Sequence, residues 1–530
     1  MNVPTPHQKI ILYVLPLIIF FGVSWFFRDY VVDDAYIHLT FVKNLAATGE
    51  FAFNRGTPVY GTTSPLWVMI NALVLKALSG LSAYSIIKTL SLMFAATSLL
   101  LFTQYCNRRF SFTIGIVLSV LFACNPWYLR WAYSGMEVGL VLTLSLSMLL
   151  LADYLKGIPL GIALGLLCGL LLLTRPEFIL FTLVLSIHLI ADKDLNLKQR
   201  VLLLLAFFGA ILLIAAPWAV YADSVFGNIK PNTVLAKSTG YYLIPELMWI
   251  KRLVLILVSG HSAELLLLGI CGITAFRNPR AVNEWTEFFR STLLLWAWPC
   301  GLAAGYLFTH SPISSRYMLM GSPFLVLFIG NLMQFSKPAI GKFSFESSKQ
   351  LIPFALVGIT SSAVLLATTI LPQTKNYREA LENYSRLVDT FERLSKDGDK
   401  IAAGDVGILG YQNIGKYEVV DLHGLVTTSA IPVRRFLHDV NFYLRDNRVE
   451  WLMESAPAPN NLAHTDKLTI IQQDLWLIHP YVEFIDSAFL GPYGVAESEN
   501  QYYSLYRINW GKFDEDHPLE PSGSLRTKDR

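Results

Sequence analysis

The chain has 530 residues, 53% of them hydrophobic and 15% charged, with a mean hydropathy of +0.45. Soluble domains carry about 25% charged residues, so the composition argues against a soluble globular protein and for several membrane spans. The net charge of +3 gives no basis for nucleic-acid binding, and the five cysteines, all in apolar segments without metal-site spacing, point to neither a zinc module nor a disulfide framework.

Residues 10–27 are an apolar run followed by bulky aromatics, Arg28 and Asp29. Small residues would mark a cleavage site there, so the run reads as a retained first helix. A span needs about 20 apolar residues. Candidates are 10–28, 84–104, 110–125, 136–153, 158–174, 177–191, 201–221, 250–276, 291–309, 317–335 and 350–371. The connections "DKDLNLKQR" (192–200), "FRNPRAVNEWTEFFR" (276–290) and "SKPAIGKFSFESSK" (336–349) are rich in Lys and Arg and are assigned to the cytoplasm. If 65–80, "PLWVMINALVLKALSG", also crossed, Arg108 and Arg109 would end up outside. The segment is short and holds Asn71 and Lys76, so it is expected to lie along the outer surface as an interfacial helix. The expected architecture is a polytopic α-helical membrane domain over 1–371, of about 11 transmembrane helices. Its N-terminus lies inside, and a first outer loop covers 29–83.

Beyond the spans, 375–396 reads as an amphipathic helix. "KIAAGDVGILGY" (400–411) reads as a strand, a turn and a further element, and "YEVVDLHGLV" (417–426) as another strand; "VEWLM" and "YYSLYRI" are strand-like. Residues 372–510 are therefore expected to form a soluble α/β domain outside the membrane, with a disordered tail over 511–530. Asp405, Asp421 and His423 fall at strand ends or turns there, either as structural turn residues or as part of a roof over the membrane domain.

The first outer loop begins "YVVDDAYIHLTFVKN". Ile37, Phe41 and Leu45 recur at helical spacing, so 35–46 is expected to be helical, with one aspartate as its cap. The other carboxylate is left at the bilayer edge, where ionisable groups tend to be functional. It could accept a proton from an attacking hydroxyl, or Asp33 and Asp34 together could hold a divalent cation. Tyr36 and His38 lie beside them. Later outer loops carry Arg130, Arg175, Lys230, Lys237 and Arg316. Each could be a snorkelling anchor; together they would ring the mouth of a helix bundle with cations suited to a lipid-borne phosphate.

The stretch "DDAYIHLTFVKNLAATGEFAFNRGTPVYGTTSPLW" resembles the first outer loop of polyprenyl-phosphate-dependent glycosyltransferases of the GT-C fold. It is most similar to the mycobacterial terminal arabinofuranosyltransferases and their bacterial relatives. The resemblance continues in order through "YSGMEVGL", "TRPEF", "PNTVLAK", "RYMLMGSPFL" and "GDVGILGY…VVDLHGL". It implies an acidic residue of the first outer loop as catalytic base, which carries to Asp33 or Asp34; Asp33 is the preferred base and Asp34 its cap or partner. Arg175, Lys237 and Arg316 are then candidates for the donor phosphate. Tyr36, His38, Glu137, Glu177, Asn232 and His310 are candidates for substrate binding, with Glu137 alternatively pairing with Arg130 or Arg175. Val138 departs from the family's frequent threonine, which bears on the choice of sugar. The implied activity is inverting transfer of a sugar from a polyprenyl-phosphate donor to an envelope glycan, glycolipid or protein on the outer face of a bacterial inner membrane. A flippase of lipid-linked glycans would need charged or broken helices near the midplane, and a non-catalytic scaffold would not need the carboxylate pair.

Overall fold

In a computed structural model the described residues are 5–517, without 192–194, 238–243, 277–280, 337–347, 433–439, 457–477 and 493–499. The chain begins with α1 (Pro6–Ser24), α2 (Asp33–Thr48), α3 (Pro65–Ala77), α4 (Ala83–Arg109), α5 (Phe112–Ala123), α6 (Pro126–Trp131) and α7 (Val138–Tyr154). It continues through α8 (Gly157–Thr174), α9 (Phe178–Ile190), α10 (Leu197–Phe226), α11 (Asn232–Lys237), α12 (Leu247–Phe276) and α13 (Val282–Ser291). Then come α14 (Leu293–Thr309), α15 (Ser315–Leu319), α16 (Ser322–Phe335), α17 (Ser348–Leu365) and α18 (Leu371–Leu394). A helix stands at each expected span. By length and composition, six helices among the described residues can cross a bilayer, or seven if α13 and α14, bent by 71°, form one span. The helices α5, α7, α9 and α16 are apolar but shorter.

Contacts sort the connections into two ends of the bundle. Lys88, near the start of α4, donates to the carbonyls of Arg28 and Tyr30 at the end of α1. The loop 29–82, with the 13-residue α3 inside it, therefore leaves and returns at one end. At the other end Arg108 and Arg109 both pair with Asp153, where α7 stops. Gly161, Gly165 and Gly169 line the face of α8 that meets α10. A Cβ at Gly165 would stand 2.2 Å from the Phe207 carbonyl oxygen, so these backbones approach as only small residues permit.

A π-helical turn, Leu366–Ile370, leads from α17 into α18 and so into the C-terminal domain. Its strands are β1 (Lys400–Ala403), β2 (Glu418–Asp421), β3 (Trp451–Ala456), β4 (Val482–Pro492) and β5 (Asn500–Ile508). The sheet order is β2-β1-β3-β5-β4. β1 runs parallel to β2 and β3, and β5 runs antiparallel to β3 and β4. A short helix, α19 (Gly407–Gln412), bridges β1 and β2. The apolar face of α18, Leu387, Val388 and Phe391, packs in one core with Ile401, Ala403, Trp451, Met453 and Leu505. The expected disordered tail starts too early: Trp510–Asp516 is a helix that buries Trp510 and Phe513. Residues 518–530 lie outside the described residues.

Candidate active site

The two aspartates do not cap their own helix. Val32 holds the N-cap position, without a side-chain bond, and Asp33 and Asp34 are the first two helical residues. Successive residues of an α-helix point about 100° apart, so the two carboxylates serve different surroundings. Asp33 accepts the backbone N–H groups of Gly407 at 2.9 Å and Ile408 at 3.0 Å, which are unpaired donors at the start of α19. Its own N–H donates to the Tyr377 hydroxyl, 3.0 Å away. A Cβ at Gly407 would stand 2.1 Å from the Asp33 carbonyl oxygen, so glycine is required for this approach. Burial above all, and then the charge of Asp405, pushes the Asp33 carboxyl up to about 8, against the pull of the two N–H donors. Asp33 thus joins the first outer loop to the C-terminal domain.

Asp34, Ile37 and His38, one turn apart on α2, line a cavity of about 470 Å³. Gly61, Thr62, Thr63, Thr233 and Leu425 line it from the outer loops and the C-terminal domain; Arg175, Glu177, Arg316 and Tyr317 supply its charged and phenolic groups. A third part of the wall is apolar: Ile179 and Leu180 of α9 and Gly301, Leu302, Gly305 and Tyr306 of α14. Ile179 is 63% exposed, so this wall opens on the face of the bundle that meets lipid.

The ion pairs follow from burial. Arg175 ends α8, 3% exposed, and its Nε lies 3.0 Å from Oε1 of Glu137, which is fully buried. The pair lacks the alignment of a hydrogen bond. His38 Nε2 is 3.9 Å from the other Glu137 oxygen, and burial holds the imidazole below its ordinary value. Arg175 also donates to Thr63 at 3.3 Å. Arg316 Nη2 meets Asp34 Oδ2 at 2.5 Å and the Tyr317 hydroxyl at 3.0 Å. The Tyr317 ring is close to both guanidinium groups, 4.6 Å from that of Arg175 and 5.0 Å from that of Arg316. It stacks on Tyr306, whose hydroxyl donates to Glu177 at 2.6 Å. Arg175 Nη2 and Arg316 Nε are buried without a hydrogen-bond partner.

Of the residues singled out from sequence, Asp34, His38, Arg175, Glu177 and Arg316 line the cavity, with Glu137 directly behind. Glu137 pairs with Arg175 rather than Arg130, which packs on the rings of Tyr30 and Trp127. Asp33, Tyr36, Asn232 and His310 do not line it. Tyr36 packs with Tyr84 and Tyr411. Asn232 donates to Thr428 of the C-terminal domain at 2.8 Å. His310, in left-handed conformation at the end of α14, pairs with Glu246 and stacks on Trp249. Lys237 closes α11, and its side chain lies outside the described residues. The two carboxylates have different protein partners, Asp33 the N–H groups of α19 and Asp34 the Arg316 guanidinium. Among the described residues no three His, Cys, Asp or Glu side chains cluster as a metal site. Asp421 accepts the N–H groups of His423, Leu425 and Val426 and so shapes the loop that brings Leu425 to the cavity. Tyr306, Tyr317, Thr62 and Thr63 were not singled out. The last two lie in the quoted "GTTSP" turn, but nothing in their spacing marks them.

Residues 373–506 match a sequence family described as "Domain of unknown function (DUF8728)". A segment of 244 residues is 29% identical to the terminal beta-(1->2)-arabinofuranosyltransferase of Mycobacterium tuberculosis. The match covers 42% of this chain and 37% of that protein. Among solved structures, ArnT from Cupriavidus metallidurans bound to undecaprenyl phosphate superposes with a TM-score of 0.60 at 14% identity, over 94% of this chain and 98% of ArnT. An oligosaccharyltransferase from Archaeoglobus fulgidus superposes with a TM-score of 0.54 at 10% identity, over 84% and 70%. The chain thus has the GT-C fold with a C-terminal α/β domain, and its sequence resembles the mycobacterial terminal arabinofuranosyltransferases.

Proposed function

We propose that the chain is a membrane glycosyltransferase that takes a sugar from a polyprenyl-phosphate donor and passes it to a hydroxyl acceptor on the outer face of the membrane. The observation that carries this reading is one cavity with three kinds of wall: a carboxylate, two buried arginines, and an apolar side open toward lipid. The prenyl chain would enter past Ile179, Leu180 and Gly305. The phosphate would meet Arg175 Nη2 and Arg316 Nε, the two buried donors without protein partners. The sugar would lie beneath Asp34 and His38. ArnT, whose fold this chain shares, was crystallised with undecaprenyl phosphate.

The chemistry is a single displacement. The acceptor oxygen bonds to the anomeric carbon and loses its proton to the Asp34 carboxylate. The bond from that carbon to the phosphate oxygen breaks, and its electron pair leaves with the phosphate. The polyprenyl phosphate gains negative charge, which Arg175 and Arg316 stabilise. One displacement inverts the anomeric centre. Asp34 takes the role of base here, in place of the Asp33 preferred from sequence, because Asp33 spends its carboxylate on α19. The mycobacterial relative supports a pentofuranose among the donors to try first. The test is to incubate the purified full chain with a panel of radiolabelled polyprenyl-phosphate monosaccharides and envelope glycan acceptors. Transfer with release of polyprenyl phosphate and an inverted linkage is expected. Movement of the lipid across vesicles without any transfer would replace this reading with a flippase.

A further inference from the structure

Among the described residues, both guanidinium groups at the cavity are already paired with carboxylates. Two guanidinium groups, Arg175 and Arg316, face three carboxylates, Asp34, Glu137 and Glu177, at 2.5 to 4.0 Å. A donor phosphate arriving here brings a further negative charge, so it competes with the carboxylates for the same two cations. The pairs are not equally easy to weaken. Glu137 and Arg175 have 0% and 4% of their side chains exposed, so separating them would strand a buried charge. Asp34 is 40% exposed and Arg316 10%, so Asp34 can be rehydrated when its partner leaves. Arg316 also carries a second attachment, the Tyr317 hydroxyl, that holds it in the cavity while Asp34 is given up. Its Nε already presents an unmatched donor.

We propose that Arg316 is shared between Asp34 and the phosphate of the donor lipid: in the resting protein it covers the carboxylate, and donor binding draws it off and uncovers Asp34 for the acceptor hydroxyl. The inference rests on the reading of Asp34 as base and of Arg316 as a phosphate ligand. It makes binding ordered, donor before acceptor, and keeps the base covered while the cavity holds no lipid phosphate. Competition for one cation is reciprocal, which gives a signature that a simple base would not have.

The experiment measures binding of undecaprenyl phosphate, without sugar, to the purified full chain in detergent. The wild type is compared with Asp34→Asn, Arg316→Gln and the double variant, each checked for a cooperative unfolding transition. Removing the competing carboxylate frees Arg316, so Asp34→Asn is expected to bind the lipid phosphate about 5-fold or more tightly than wild type, within the usual range of couplings between sites. Arg316→Gln is expected to bind it more weakly. In the double variant the Asp34→Asn gain is expected to vanish. Asp34→Ala serves as a second probe if the Asn variant does not fold. Unchanged or weaker binding in the Asp34 variants, with weaker binding in Arg316→Gln, overturns the sharing while leaving the phosphate site intact. Binding unchanged in every variant overturns the underlying reading of the site as well.

Discussion

Arg175 holds its charge inside the protein beside two carboxylates, Glu177 at 4.0 Å and its closer, fully buried partner Glu137 at 3.0 Å. With the pair 3% and 0% exposed, removing one partner leaves the other uncompensated, which costs about 3–5 kcal/mol. Glu137→Gln is therefore expected to lower stability strongly in denaturant unfolding. Glu137→Gln combined with Arg175→Met should recover much of the loss, because two apolar or neutral side chains strand no charge. If the double variant is as unstable as the sum of the singles, the pair is not the reason for burial. Donor binding separates from this stability effect through Arg175→Lys, which keeps the charge but loses the fork. A lost hydrogen bond to a charged group is worth about 1.5–3 kcal/mol, or roughly 10- to 150-fold in affinity for undecaprenyl phosphate. Wild-type affinity would remove Arg175 from the phosphate site. The sequence pointed to these residues because cations in short outer loops at membrane depth have few other uses. It could not point to Tyr306 or Tyr317, whose importance lies in ring positions set by the crossing of α14 and α15.

At the scale of elements, the junction of α2 with α19 joins two parts of the chain that lie 374 residues apart. Its pH dependence has a definite sign. Asp33 sits at about 8 in the folded protein, against 3.8 for a free side chain. Between those values the folded state holds a proton that the unfolded chain has released. Stability from this group is therefore complete below about pH 4 and is lost as pH rises toward 8. The unfolding midpoint should fall from pH 5 to pH 8, and Asp33→Asn should flatten that fall; a slope unchanged by the substitution would assign it elsewhere. The lipid-facing wall gives a steric test. A Cβ at Gly305 meets nothing within 4 Å, although the residue lines the cavity. Gly305→Leu should fold with a near-normal midpoint and fill the prenyl groove, lowering donor affinity; unchanged affinity would place the lipid elsewhere. Periodicity revealed α2 and α18, and short apolar or aromatic runs marked β1, β2, β3 and β5. β4 went unnoticed because "VEFIDSAFL" mixes polar and apolar residues, and its pairing with β5 carries two register shifts. Which face of α2 meets the cavity was equally hidden. Helical spacing separates Asp33 from Asp34, but only the position of α19 decides which of them is consumed by docking.

For the whole molecule, the sequence disclosed a helical membrane bundle followed by a separate C-terminal α/β domain, because hydropathy reports directly on a bilayer. It disclosed less of how the two parts meet. Leu425, Thr428 and α19 of the C-terminal domain reach the first outer loop and α11, and no local pattern encodes such a contact. Cysteine labelling from the outside should reach position 56 and position 228 but not 109 or 198; labelling at 109 together with 56 would break the two-ended arrangement. The central claim is that of the two adjacent carboxylates of α2, Asp34 is chemical and Asp33 structural. It is tested most directly by turnover of Asp34→Asn and Asp33→Asn, side by side with wild type, using a polyprenyl-phosphate sugar that the wild type consumes. Asp34→Asn keeps size and loses basicity, so its rate should fall by about 10²–10⁴ with the protein still folded. Asp33→Asn, neutral at every pH, should flatten the pH dependence of stability and retain far more activity where it remains folded. Near-normal turnover in Asp34→Asn, with a folded but inactive Asp33→Asn, would contradict the assignment.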